Sequence, residues 1–276
     1  MDFSLKSTTE MERGLVKIPS VGYIHYRAIG QGKPIILMHS TGGSSTIFLE
    51  LMAVLSSNMR VFAIDHPSHG MSDHITGKPA IADYARFITE VMDGLGVKKA
   101  SFLGTTTSGY ISVELANTYP ERVEKIVMES CPVYLSEEYK RKRHADIKSA
   151  NSQPTDATGF PLPRTIEFML QSDPEHIPLH PTQSYMDREN VASAEANRDK
   201  WQLINALGEY DTISNLESLQ CPVLIIWGDH FFAVQFRDEF IRHIKNPQVL
   251  VVKDARLNPL SEHPEEVGQA VLKFLG

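Results

Sequence analysis

From residue 15 onward the chain switches between two hydrophobic periods, and the switching marks out its elements. Residues 15–28 alternate apolar and polar positions about Val21-Gly22, which predicts a β-hairpin. After Gly30-Gln31-Gly32-Lys33-Pro34, residues 35–39 form a short apolar run, the pattern of a strand covered on both faces. Residues 60–65, 100–104, 123–129, 222–228 and 248–254 repeat it, so six such runs predict one sheet. Between them, residues 47–55, 81–95, 110–117, 234–244 and 264–274 carry helical spacing. Strand and helix alternating at this rhythm predict an α/β fold, a mostly parallel twisted sheet with helices on both faces and right-handed crossovers.

The rhythm breaks between about residues 132 and 211. The stretch 153–163, QPTDATGFPLP, is rich in proline and polar residues, while residues 166–170 and 201–204 carry apolar clusters. A structureless loop of that length is a poor solution for a compact domain. Residues 133–210 are therefore expected to form a helical cap inserted into a core made of residues 1–132 and 211–276. Phe160, Phe168, Met169, Trp201 and Leu203 are its candidate pocket residues.

Composition narrows the function classes. At 276 residues, 42% hydrophobic and 22% charged, the chain has ordinary globular values. Lys plus Arg total 27 against 34 Asp plus Glu, a net charge of −7, so nucleic acid and anionic lipid are not expected partners. The basic run Lys140-Arg141-Lys142-Arg143-His144 is expected to be a solvated helix face. Cys131 and Cys221, each before a proline, have no metal-ligand or disulfide spacing and are expected to be small buried hydrophobes. The start MDFSLKSTTEMERG has no basic, then apolar, leader pattern, and no apolar run reaches membrane-spanning length. A soluble cytoplasmic protein without membrane contact is the expectation. There is no P-loop, no dinucleotide fingerprint and no helical histidine pair, so neither cofactor nor metal is expected.

The chemistry-bearing stretches occur in a telling order. They are His39-Ser40-Thr41-Gly42-Gly43, Asp65-His66-Pro67-Ser68-His69-Gly70, Gly104-Thr105-Thr106-Thr107-Ser108-Gly109, Trp227-Gly228-Asp229 and Glu262-His263-Pro264. From about residue 14 to the end, this order and spacing resemble the α/β-hydrolase family. The resemblance implies a nucleophile on a tight strand-to-helix bend of pattern G-x-S-x-G, where Thr106 stands, with Ser108 at the second glycine. It implies a catalytic histidine at the position of Leu257 and an orienting acid at the position of Phe231. Some branches carry the acid one strand earlier, where Glu129 stands. The oxyanion hole would come from the N–H groups of Thr41 and Thr107, beside His39 and Ser40.

All three triad positions are thus substituted, and loss of any one member of such a unit already costs several powers of ten in rate. Ordinary serine-hydrolase turnover is expected to be absent or very weak. Three readings stay open. One is a protein that binds a small, largely apolar carbonyl or ester under the cap. Another is an enzyme of different chemistry, a threonine-nucleophile hydrolase or a cofactor-free lyase, decarboxylase or dehydratase. Its acid or base would be Glu129, Asp229, His230, His39, His176 or His180, with His230 the first candidate replacement base. The last is a protein-interaction scaffold. The ligand and the oligomeric state are not legible in the sequence.

Overall fold

A computed structural model describes residues 11–134, 136, 138, 140–141, 156–158, 162–172, 174, 177–196 and 201–276. Phe160, His176 and the basic positions 142–144 lie outside them.

The hairpin is formed by β1 (Glu12–Ile18) and β2 (Gly22–Ile29), antiparallel in the register Ile18↔Gly22. Next come β3 (Lys33–Met38), α1 (Leu49–Leu55), β4 (Met59–Ile64), α2 (Ile81–Gly94) and β5 (Ala100–Thr105). α3 (Thr107–Thr118) and β6 (Val123–Glu129) follow. The segment between β6 and the next strand carries α4 (Ile166–Ser172), α5 (Gln183–Glu195) and α6 (Trp201–Gly208). The chain returns through α7 (Thr212–Glu217), β7 (Val223–Gly228), α8 (Arg237–Ile241), β8 (Gln248–Val252), α9 (Pro259–Glu262) and α10 (Pro264–Leu275).

One eight-stranded sheet runs in the order β1-β2-β4-β3-β5-β6-β7-β8. β2 is antiparallel to both neighbours, and every pairing from β4 through β8 is parallel. The unbroken apolar runs are explained by the pleat. Ile36, Met38 and Phe102 join the cluster beneath α2 and α3, while Ile35, Leu37 and Leu103 join the cluster beneath α1 and α10. Successive side chains leave opposite faces, both faces are covered, and each burial contributes about 1.5–3 kcal/mol.

The segment between β6 and β7 divides in two. Met169, Ile177, Tyr185 and Met186 form a small apolar cluster of their own, while Leu203 and Leu207 of α6 belong to the main core. Polar ties fix the segment to the sheet end. Glu262 accepts from the N–H of Leu179 at 2.9 Å and of Arg256 at 2.8 Å, and Arg188 pairs with Glu50 at 2.7 Å. The Gln202 amide donates to Ile75 O and accepts from the Ser68 hydroxyl.

Cys131 is buried, Cys221 partly so, and both are free thiols. Among the described residues no helix is long and apolar enough to cross a membrane.

Candidate functional site

β5 ends at Thr105 and α3 begins at Thr107, so one residue makes the whole reversal. That residue, Thr106, sits at φ 47° and ψ −114°, a region that a β-branched residue occupies only under strain. Its N–H donates to Glu129 O at 2.7 Å, and its carbonyl accepts from Gly109 N–H at 3.1 Å. The bend needs Gly104, where a Cβ would lie 2.2 Å from Ser108 O. At Ser108 the side chain is accommodated and engaged. Its hydroxyl donates to His39 O at 2.5 Å and accepts from His66 Nε2 at 2.8 Å.

Beneath the bend lie three packed imidazoles, with the His39 ring 4.6 Å from His66 and 5.1 Å from His69, centroid to centroid. His39 Nδ1–H donates to Ser40 O and its Nε2 accepts from the His66 N–H. His69 Nδ1–H donates to Pro67 O and its Nε2 accepts from the Gly42 N–H. Each ring therefore has one donor and one acceptor nitrogen, the neutral form. Burial pushes the His39 ring below the ordinary histidine value. The His66 ring is pushed further down, first by burial and then by its two imidazole neighbours. Asp65 anchors this floor, accepting from His25 Nδ1 and from the N–H groups of Ser45 and Met71. Burial works against its charge, yet the His25 hydrogen bond and the other donors hold its carboxyl well below the usual carboxylate range.

A cavity of about 150 Å³ opens above this floor. Ser40, Thr41, Thr106, Thr107 and Ser130 line its strand-end side. Phe231, Leu257 and Asn258 come from the loops after β7 and β8. Met169, Tyr185, Met186 and Ile204 come from the segment between β6 and β7. The Thr41 and Thr107 hydroxyls stand 3.4 Å apart across the floor. Thr107 is the first residue of α3, so its N–H has no acceptor within the helix.

Several expected site residues stand elsewhere. His230 is exposed, 3.8 Å from Asp229, and is absent from the cavity wall, so it is not placed to serve Thr106 as a base. His180 is exposed, and His263 caps α10 with its Nε2 against Asp254 O. His39 is fully buried under the floor instead of lining the cavity. Phe168 packs beside the small apolar cluster while Met169 takes the wall position, and Ile204, one turn beyond Trp201, faces the cavity in its place. Glu129 is completely buried below the bend. Leu260 N–H and the Ser130 hydroxyl approach its carboxyl without reaching hydrogen-bond geometry, and burial pushes it well above the ordinary glutamate value.

Sequence reasoning missed the polar wall formed by Arg164, Tyr185, Glu189 and Asn258. Only the neighbour relation of Asn258 to Leu257 could have brought one of the four to notice.

Asp229, His230 and Asp254 offer ligand atoms within 4.8 Å of one another. They form an exposed surface cluster, and nothing else at that place points to an ion.

Known proteins supply the comparison for this arrangement. The chain is 26% identical over 270 residues to the 2-hydroxy-6-oxononadienedioate/2-hydroxy-6-oxononatrienedioate hydrolase of Paraburkholderia phymatum, covering 92% of this chain and 91% of that one. It is 27% identical over 256 residues to carboxylesterase YbfK of Bacillus subtilis, covering 87% of this chain and 79% of the relative. The crystal structure of that carboxylesterase, CesB (YbfK), superposes with a TM-score of 0.77 at 25% identity, over 96% of this chain and 92% of the other. The enol-lactonase from Burkholderia xenovorans LB400 shares the fold, with a TM-score of 0.71 at 22% identity over 95% and 99% of the two chains. A model of the alpha/beta hydrolase fold matches residues 33–264, and with the sheet order and the strained bend at Thr106 it establishes that this chain belongs to the α/β-hydrolase family.

Proposed function

We propose that this chain binds a small, largely apolar carbonyl- or ester-type ligand in the cavity over Thr106, and that hydrolysis by the Ser-His-Asp route is absent or very weak. The segment of residues 133–210 acts as the cap. The observation that carries this reading is the make-up of the wall: Leu257 and Phe231 share the cavity with Thr106, and among the described residues no imidazole lines it. A threonine hydroxyl attacks a carbonyl only when a base takes its proton. The titratable groups on the wall are Tyr134, Arg164, Tyr185 and Glu189. A phenol and a guanidinium hold their protons at neutral pH, which leaves Glu189, its carboxyl pushed up by burial, as the one candidate base among the described wall residues.

The strained bend and the facing Thr41 and Thr107 favour a second reading, in which the oxyanion hole is retained and Thr106 turns over an ester with Glu189 as base. One of the two relatives is named a hydrolase and the other a carboxylesterase, which supports it as the alternative.

Hydrolysis of short p-nitrophenyl esters between pH 6 and 9 separates the two, with wild type, Thr106→Ala and Glu189→Gln compared alongside native mass spectrometry of the purified protein. Equal background rates in all three support the binding reading. A hundredfold loss in Thr106→Ala overturns it, and a parallel loss in Glu189→Gln names the base.

A further inference from the structure

The ligand-binding reading leaves the ligand's polar end unnamed, and four side chains of the cavity bear on it. Tyr185 is 7% exposed, and its hydroxyl accepts from Asn258 Nδ2 at 2.9 Å. Among the described residues no acceptor takes the phenol's own proton. Among the described residues Arg164 Nε is buried without a partner, and its guanidinium makes one long hydrogen bond, from Nη2 to Glu189 O at 3.4 Å. Tyr185 and Glu189 lie four residues apart on one face of α5. The Arg164 guanidinium reaches the Glu189 carbonyl and is an electrostatic neighbour of the phenol, so phenol and guanidinium border the same part of the cavity. The neighbouring Arg188 is already committed to Glu50 at 2.7 Å.

Two unused donors on one wall, one of them a permanent cation, call for an acceptor-only group. Hydroxyl side chains of Ser40, Thr41, Thr106, Thr107 and Ser130 line the strand-end side, and the wall between that side and the four polar groups is apolar, formed by Ile47, Met169, Met186, Ile204, Phe231 and Leu257. A cavity of about 150 Å³ holds roughly a benzene-sized body. Glu189 faces the same space. Burial pushes its carboxyl up against the pull of Arg164 and Arg188, which disfavours a competing negative charge there.

We propose that Arg164 and Tyr185 bind the carboxylate of a small acid whose short apolar body lies against Leu257, Phe231 and Met186. Resting on the binding reading, this inference narrows the ligand from an apolar carbonyl compound to an amphipathic carboxylic acid. The planar guanidinium fork matches a carboxylate, and the Tyr185 proton supplies a second contact in a space largely cleared of water.

The test is isothermal titration at pH 7.5 with pentanoate, pentanamide and pentylamine, which share one body and differ in the polar end. The charge-assisted contacts predict pentanoate binding about tenfold or more tighter than pentanamide, with pentylamine weakest. Arg164→Gln is expected to bring pentanoate within about twofold of pentanamide, with an unchanged circular-dichroism melting curve showing that the variant is folded. Tyr185→Phe is expected to weaken pentanoate about threefold to tenfold. Equal binding of pentanoate and pentanamide by the wild type, or tighter binding of the amine, overturns the carboxylate assignment and leaves the binding reading standing. If none of the three binds, both fall. The comparison repeated in Thr106→Ala keeps any amide hydrolysis out of the result.

Discussion

The Ser108 hydroxyl and His66 Nε2 meet at 2.8 Å, both residues buried, at the position where the family's bend motif has its second glycine. Because the same hydroxyl donates to His39 O, Ser108 joins the bend, the loop after β3 and the turn after β4 through one atom. Ser108→Ala leaves the His66 N–H and the His39 carbonyl without their partner. The expected cost is about 1–3 kcal/mol, read as a lower urea midpoint with an unchanged m value. A change below about 0.5 kcal/mol would show that buried water takes over both groups.

The imidazole floor gives the stability a direction with pH. His39 and His66 are both held below the ordinary histidine value, chiefly by burial. As pH falls below about 6.5 the unfolded chain takes up protons that the folded chain refuses. Stability is thus fully present above that pH and is lost as pH falls. Asp65, held low, adds a loss of the same sign at more acidic pH. Urea midpoints measured from pH 8 to pH 5 should decline, and His66→Gln, which keeps an N–H for Ser108, should decline less steeply. Parallel slopes would mean that His66 does not titrate on unfolding.

Glu129 carries the opposite sign. Burial raises its carboxyl well above the ordinary value, so the folded chain holds a proton that the unfolded chain releases once pH exceeds about 4.5. Its destabilising effect grows as pH rises. Glu129→Gln replaces it with a neutral group of the same shape and should raise the melting temperature at pH 8 while changing it little at pH 4. A uniform shift at both pH values would mean that the effect is packing and not charge.

What could be read in the sequence follows from which forces are local. The strands after the hairpin were legible because both faces of the sheet are covered, which makes runs such as Ile35-Ile36-Leu37-Met38 continuously apolar. The bend was legible because its strain leaves few residue choices within a short stretch. The wall facing it was legible only in part. Met169, a candidate pocket residue, lines the cavity, whereas Phe168 packs beside it and Ile204 lines the cavity instead of Trp201 or Leu203, since short helices with polar neighbours fix no clear face. His230 looked close to the bend by position along the chain, but the turn after β7 sends it to solvent. Arg164, Tyr185 and Asn258 escaped notice because their meeting is a tertiary event across 94 positions with no periodicity to announce it.

Thr106 itself stores strain that a substitution can release. At φ 47° and ψ −114° a β-branched residue costs on the order of 1–3 kcal/mol, and glycine adopts that conformation at no steric cost. Against this, glycine loses roughly 0.5–1 kcal/mol more backbone freedom on folding. Thr106→Gly should therefore be net stabilising by about 1 kcal/mol, although it removes a side chain from a cavity wall. Destabilisation would mean that the Thr106 side chain makes contacts worth more than the strain.

Leu257 offers the sharpest check on why turnover is expected to be missing. It shares the cavity with Thr106 and stands at the family's histidine position, so an imidazole placed there would supply a group that the described residues of the wall lack. Leu257→His alone gives a base beside a crowded secondary hydroxyl, and Thr106→Ser alone gives an open hydroxyl without a base, so each single variant should stay near background. The double variant should exceed both by at least about tenfold in p-nitrophenyl ester hydrolysis, a small part of the 10²–10⁴-fold that a well-placed base contributes. Its rate should climb as pH rises through the titration of the new histidine, near 6.5. A double variant no faster than the singles would move the defect from the missing base to the shape of the oxyanion loop about Ser40 and Thr41.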